Sequence, residues 1–232
     1  LFIEDQIEVT DRLKLIAGGR FTYAAARSDK ALDPATGELG DLDEDYTSIV
    51  GTGRALYELI PEHWNVYGGV SQGFRAPNLH DLTASIDQRT NTMAIGARGL
   101  DPEDYVQFEI GTKVQDDKLA GEVVYFYTLV SDQIVDAPTG GVAPDGDTIV
   151  SRVNAGDGWY QGVELAASYR ILPQLTVFGN FTWQEGEVDT FLDLSDPTSK
   201  VRAPATRVQP MTGQIGLRVD DVNRKWWIEG LA

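Results

Sequence analysis

The sequence contains no cysteine, which excludes disulfides and every thiolate-held metal. Histidine is nearly missing, with only His63 and His80 present. Positive charge is scarce: 19 Lys and Arg stand against 36 Asp and Glu, a net charge of -17. A chain so acidic lacks the basic surface that a nucleic-acid backbone needs. No apolar run reaches the ~20 residues of a transmembrane helix. That excludes a helical membrane protein and leaves a barrel open, because a membrane strand needs only ~9–11 residues apolar at alternate positions. No serine lies beside a histidine in a nucleophile motif. No glycine-rich turn joins a strand to a helix, so nothing reads as a phosphate cradle. The chain is therefore not expected to be an enzyme, and no metal or cofactor is expected.

What the sequence does have is alternation. Leu13, Leu15, Ala17, Gly19, Phe21 and Tyr23 alternate with more polar positions. So do Ile49 to Leu59, Val106 to Val114, Val163 to Ile171, Leu175 to Trp183 and Met211 to Val219. Period two marks a strand with two unlike faces. Further strands are expected over Phe2 to Val9, Trp64 to Phe74, Lys118 to Ile134 and from Lys225 onward, giving about ten in an antiparallel up-and-down meander. Gly156, Asp157 and Gly158 should bulge or bend the long strand from Ile149 to Ile171.

The connections alternate in length. Short ones fall near Asp11, Pro61, Asp116, Pro173 and Val222, and long ones centre near Gly37, Thr90, Pro144 and Pro197. Ser28 to Glu44, Thr83 to Arg98, Pro138 to Asp147 and Glu185 to Thr206 are expected to be loops. Tight turns at one end and long loops at the other are the pattern of an outer-membrane barrel. Arg20, Arg54, Glu109, Lys113, Glu164, Arg170 and Arg218 fall opposite the apolar positions. A solvated interior tolerates such charges, and a packed core does not. Trp64, Tyr105, Tyr169, Trp183, Trp226 and Trp227 suit an interfacial girdle, or ordinary half-buried sheet aromatics. The acidic run Asp41-Leu42-Asp43-Glu44-Asp45 reads first as a solvated loop. Its second reading is a set of oxygens for calcium, although the spacing matches no EF-hand.

Three motifs carry more. The first runs Ser71-Gln72-Gly73-Phe74-Arg75-Ala76-Pro77-Asn78-Leu79-His80-Asp81-Leu82. Its proline cannot donate to a ladder and pushes Ala76 to extended geometry, so strand pairing should stop there. The second is Leu100-Asp101-Pro102-Glu103, followed by Phe108-Glu109-Ile110-Gly111-Thr112-Lys113. The third joins Asn154-Ala155-Gly156 to Gly162-Val163-Glu164-Leu165. In this order they resemble the barrel strands of TonB-dependent outer-membrane receptors. The resemblance covers Trp64 to Ile171 by motif and the flanks by pattern.

It implies an all-β fold in which this chain is part of a 22-stranded transmembrane barrel. Residues 1–232 would be a partial barrel domain, with the plug and the remaining wall absent. Both ends look cut from something longer. The implied function is energy-coupled uptake of a scarce nutrient across the bacterial outer membrane. A ferric siderophore is the first expectation, with cobalamin, haem or a glycan as others. Implied partners are outer-membrane lipid, that ligand, and the TonB coupling complex acting through the plug. Candidate ligand contacts are Arg75, Asn78 and His80 at the loop entrance and Arg152, Trp159 and Tyr160 on the later strand. The arginines would pair with an anionic ligand and the aromatics would stack on it. A structural role in ending the strand is an equal reading for Arg75 and Asn78. A passive porin, a soluble all-β binding module and a barrel enzyme rank after the transporter.

Overall fold

The computed structural model describes residues 1–32, 38–83, 85–87, 91–206, 208–223 and 225–232. Among them are thirteen strands and one short helix: β1 Phe2–Glu8, β2 Leu13–Leu32, β3 Leu39–Ile60, β4 Trp64–Arg75, α1 Leu79–Leu82, β5 Ser85–Asp87, β6 Thr92–Ala94, β7 Glu103–Gln115, β8 Leu119–Val142, β9 Thr148–Leu172, β10 Leu175–Phe191, β11 Lys200–Pro204, β12 Thr212–Asp220 and β13 Trp227–Leu231. Ten of these form one continuous meander, β1-β2-β3-β4-β7-β8-β9-β10-β12-β13. All neighbours on that path are antiparallel. The expected loop centres Gly37 and Thr90 lie outside the described residues.

The register assigns every side chain to a face, because residues directly opposite one another point the same way. One row runs Ile16–Arg54–Gly69–Glu109–Phe126–Gly162–Gln184 across six strand pairs. The same polar face carries Arg20, Lys113, Glu164, Arg170 and Arg218. The opposite face is apolar and open: Ile49 is 80% exposed, Ile110 64% and Ile215 62%. A sheet that leaves its apolar side uncovered inverts the usual arrangement, in which the apolar face is packed away.

Large aromatics on the polar face do not stand up from it. Tyr67, Phe126, Phe178 and Tyr160 lie over Gly111, Gly162, Gly216 and Gly186, their register partners. A Cβ on any of those glycines would come within 2.6 Å of the ring that covers it. The glycines therefore supply the space for rings to lie flat, which also pins the register.

The strands extend further than their alternation suggested. β2 and β3 continue through Ser28 and back from Leu39, so the acidic run is a strand and not a loop. Arg27 binds Asp43 at 2.8 Å and Asp45 at 3.1 Å, and the Tyr23 hydroxyl donates to Asp45 at 2.6 Å. The charged side chains stay exposed, as expected, but they pair across a ladder. β8 runs on through Pro138 to Val142, with a register shift between Pro138 and Gly141 that accommodates the missing N–H. β10 extends to Phe191 and takes β11 as a partner inside the segment expected to be a loop. Thr83 to Arg98 contains β5 and β6, and β6 runs parallel to β9. The expected irregularity at Gly156 is present as two offsetting shifts. Asp132, at φ 57, adds a residue to β8, and Ala155 adds one to β9. The girdle needs correction. Tyr105 lies on the polar face against Glu103, and Trp227 lies there under the Arg218 guanidinium, 4.6 Å from its ring centre.

The buried core is small and sits past the end of β4. Ala26, Ala31 and Leu42 of the β2–β3 hairpin pack with Leu82 and Leu100 of the β4–β7 connection. That connection reaches β9 at its other side, where Ile95 N–H donates to the Val150 carbonyl at 3.0 Å.

Candidate functional site

The first motif ends β4 and starts α1. Pro77 breaks the ladder, and Asn78 caps the helix. The Asn78 side chain accepts from the Asp81 N–H at 3.2 Å, while the Asp81 carboxylate accepts from the Asn78 N–H at 3.0 Å. This reciprocal box satisfies two orphan donors of the helix start. The other motifs meet the first at the same place. Arg75 and Glu103 form the outermost register pair of β4 and β7. The Arg75 guanidinium donates to both Glu103 oxygens, at 2.8 and 2.5 Å, and to Asp81 Oδ2 at 2.7 Å. Glu103 also accepts from the Tyr105 hydroxyl at 2.5 Å and from the Ile134 N–H at 2.9 Å. From the third motif, Asn154 accepts from the Asp101 N–H at 2.9 Å and donates to the Asp101 and Asp132 carbonyls at 2.8 and 2.7 Å.

Burial alone would push the Glu103 carboxyl up. Its hydrogen bonds from Arg75, Tyr105 and Ile134, with the Arg75 charge, outweigh that and hold it below the usual carboxylate range. The Arg75 guanidinium is raised, first by its bonds to Glu103. Both stay ionised, as a forked charge-assisted pair requires. The motifs thus build a clasp that joins the strand ends to the start of the connection.

Beside the clasp is a cleft of about 620 Å³. One side is Asn78, His80 and Asp81, another is the outer part of β8 and β9, and a third is the end of β10 with Leu194 and Pro204. Five of the six sequence candidates line it: Arg75, Asn78, His80, Arg152 and Tyr160. Arg152 is 8% exposed. It donates to the His80 carbonyl, lies 3.2 Å from His80 Nε2 and pairs with Asp136 at 3.4 Å. Tyr160 lies flat over Gly186. Trp159, its chain neighbour, is turned to the apolar face and stacks on Tyr127 with ring centres 6.1 Å apart. Sequence reasoning missed Glu103, Asp81, Gln133 and Asp136 as parts of this region. Glu103 and Asp81 stand inside the motifs and could have been paired with Arg75. Gln133 and Asp136 carry no signal, because the bulge that aims them does not show in the alternation.

The family described as "TonB dependent receptor-like, beta-barrel" matches residues 1–228. The chain belongs to the TonB-dependent receptor family. The sheet is accordingly a run of ten consecutive wall strands from a barrel of the kind that closes with 22. Among relatives of this receptor barrel is the iron-regulated outer membrane virulence protein of Vibrio cholerae, 28% identical over 195 residues, covering 80% of this chain and 27% of that protein. Another is the pesticin receptor of Yersinia enterocolitica, 25% identical over 169 residues, covering 71% and 22%. The chain thus spans about a quarter of the curated relatives it matches. The fold is similar to that of the copper transporter OprC, with a TM-score of 0.73 at 19% identity over 99% of this chain and 33% of that one. It is also similar to the hemophore receptor HasR of Serratia marcescens, at 0.71 and 18% over 98% and 42%. The ferric yersiniabactin uptake receptor of Yersinia pestis gives 0.63 and 19% over 95% and 31%.

Proposed function

We propose that this chain is part of the wall of an outer-membrane receptor that imports a ferric siderophore, driven by the TonB complex through a plug outside this segment. The observation that carries the reading is the two-faced sheet of a TonB-dependent receptor barrel. Its exposed apolar face suits lipid, and its charged face suits a solvated lumen. β1 and β13 stand at the ends of the strand order. Unpaired edges cannot face lipid, so further strands of the same barrel would pair with them. The choice of siderophore is supported by an iron-regulated relative and by the fold shared with a ferric yersiniabactin receptor. The copper and hemophore receptors among the fold neighbours set the competing cargoes. In this reading the cleft is where cargo meets the wall. Arg152, His80 and Tyr160 shape it, while Arg75 and Asn78 hold the strand end.

The test uses bacteria carrying the full-length receptor gene. Uptake of radiolabelled ferric siderophore under iron limitation should fall to background when the gene is deleted, and again when TonB is removed. Receptor-dependent uptake that persists without TonB would make the protein a passive porin. Loss of copper or haem uptake with iron uptake intact would replace the cargo.

A further inference from the structure

The charges that line the cleft are already spent on one another. Arg75 is held by Glu103 and Asp81. Arg152 is held by Asp136 and the His80 carbonyl. Two guanidiniums thus face three carboxylates, and with histidine counted neutral the cleft carries a negative balance. The whole chain, at -17, adds to it. Neither arginine can turn to an anionic cargo without leaving a half-buried or buried carboxylate unpaired, a step that would offset the new contact. Both arginines are thus committed to protein partners.

What remains for a ligand is neutral. The Gln133 side-chain oxygen is buried and has no hydrogen-bond partner among the described residues. The Tyr160 ring is fixed over Gly186, and its hydroxyl lies 3.5 Å from the Gln133 amide nitrogen. Thr190 adds a hydroxyl, and Val188 and Phe191 add apolar surface. A cleft of about 620 Å³ falls in the size range of small-molecule sites. A rigid aromatic with a few neutral hydrogen-bonding groups binds by contact and not by charge.

Building on the siderophore reading above, we propose that this cleft selects an uncharged ferric chelate bearing hydroxyl or amide donors, and disfavours a polyanionic one. A ferric tris-hydroxamate is such a chelate, because its three singly charged groups cancel the charge of the iron. A ferric tris-catecholate keeps three negative charges and would meet the negative balance of the cleft.

Titration of the purified full-length receptor with each chelate, followed by fluorescence quenching, tests this. The tris-hydroxamate should bind with a Kd that changes less than about twofold between about 50 and about 500 mM salt. Tyr160→Ala should weaken it about tenfold, as loss of a central aromatic anchor does, and Gln133→Leu should weaken it less. A folded-state check by heat-modifiable electrophoresis accompanies both variants. Tighter, salt-sensitive binding of the tris-catecholate would overturn the proposal and leave the siderophore reading standing. Tris-hydroxamate binding indifferent to both variants would also overturn it, since the contact would lie elsewhere. Binding of neither chelate would also overturn the proposal, while the siderophore reading is decided by the uptake test above.

Discussion

Glu103 ties three partners together where β4 and β7 end. Its carboxylate is 4% exposed and accepts from a guanidinium, a phenol and a backbone N–H. Glu103→Ala would leave Arg75 with one carboxylate in place of two and the Ile134 N–H with none. Breaking such a group by removing one partner costs about 2–3 kcal/mol, chiefly through the donors left unpaired. Thermal unfolding of the full-length receptor should show a corresponding loss. The acid response has a definite sign. A carboxyl held below its unfolded value of about 4.3 stabilises the fold above that pH, and the contribution disappears as the pH falls through the lower folded value. Glu103→Gln should therefore be the less stable protein at neutral pH, with a smaller further loss below pH ~4.3 than the parent. Equal acid sensitivity of parent and variant would show that Glu103 is not what titrates. At this scale the sequence was half legible. The motifs marked Arg75, Asn78 and His80, with ligand contact and the ending of the strand as equal readings for Arg75 and Asn78, and only the packed arrangement shows Arg75 committed to two carboxylates.

At the scale of strands, the glycine and aromatic pairs make a sharper test than strand propensity does. Gly162 sits under Phe126, and an added Cβ would also meet the Trp183 carbonyl at 2.6 Å. A backbone oxygen cannot swing aside, so Gly162→Ala should cost about 1–3 kcal/mol, the range for an overpacked site. Gly53 has nothing within 4 Å of its missing Cβ. Gly53→Ala should be neutral within about 0.5 kcal/mol, as surface changes are. Unfolding midpoints of the two variants, measured side by side in one detergent, check the pair. Equal effects would mean that the glycines are used for flexibility and not for ring space. The strands themselves were well marked where one face is apolar. All ten strands of the meander were placed, with their short turns. Their outer reaches were not, because Arg27, Asp43, Asp189 and Arg202 pair across strands on the face that is apolar further along, while Ala26 and Leu42 are buried on the other. Period-two hydrophobicity disappears there although the ladder continues. β5 and β6 were invisible for a different reason. Three-residue strands carry too few positions for a period, and β6 is fixed by β9, more than fifty residues away.

For the whole molecule, the decisive property is which side of the sheet meets which medium. Gln107 and Ile110 of β7 differ by an odd number of positions and so point to opposite faces. Gln107 faces the polar side, where the Thr128 hydroxyl lies 3.4 Å from its side-chain oxygen. Ile110 is 64% exposed on the apolar side. Both stand in the middle of a strand whose length matches a bilayer crossing. If the apolar face meets lipid, Ile110→Arg inserts a charge into hydrocarbon at a cost of about 2–4 kcal/mol near the midplane. The same arginine at Gln107 enters a solvated lumen and costs little. The two full-length variants, expressed at matched levels, should differ in the heat-modifiable folded band recovered from outer membranes. Ile110→Arg should lower it sharply and Gln107→Arg should leave it near the parent amount. A soluble sheet that buries its apolar side against another element would also reject Ile110→Arg. It would, however, stay dispersed without detergent. The membrane reading therefore also requires that the parent protein precipitate when detergent is withdrawn and return to solution when lipid or detergent is restored.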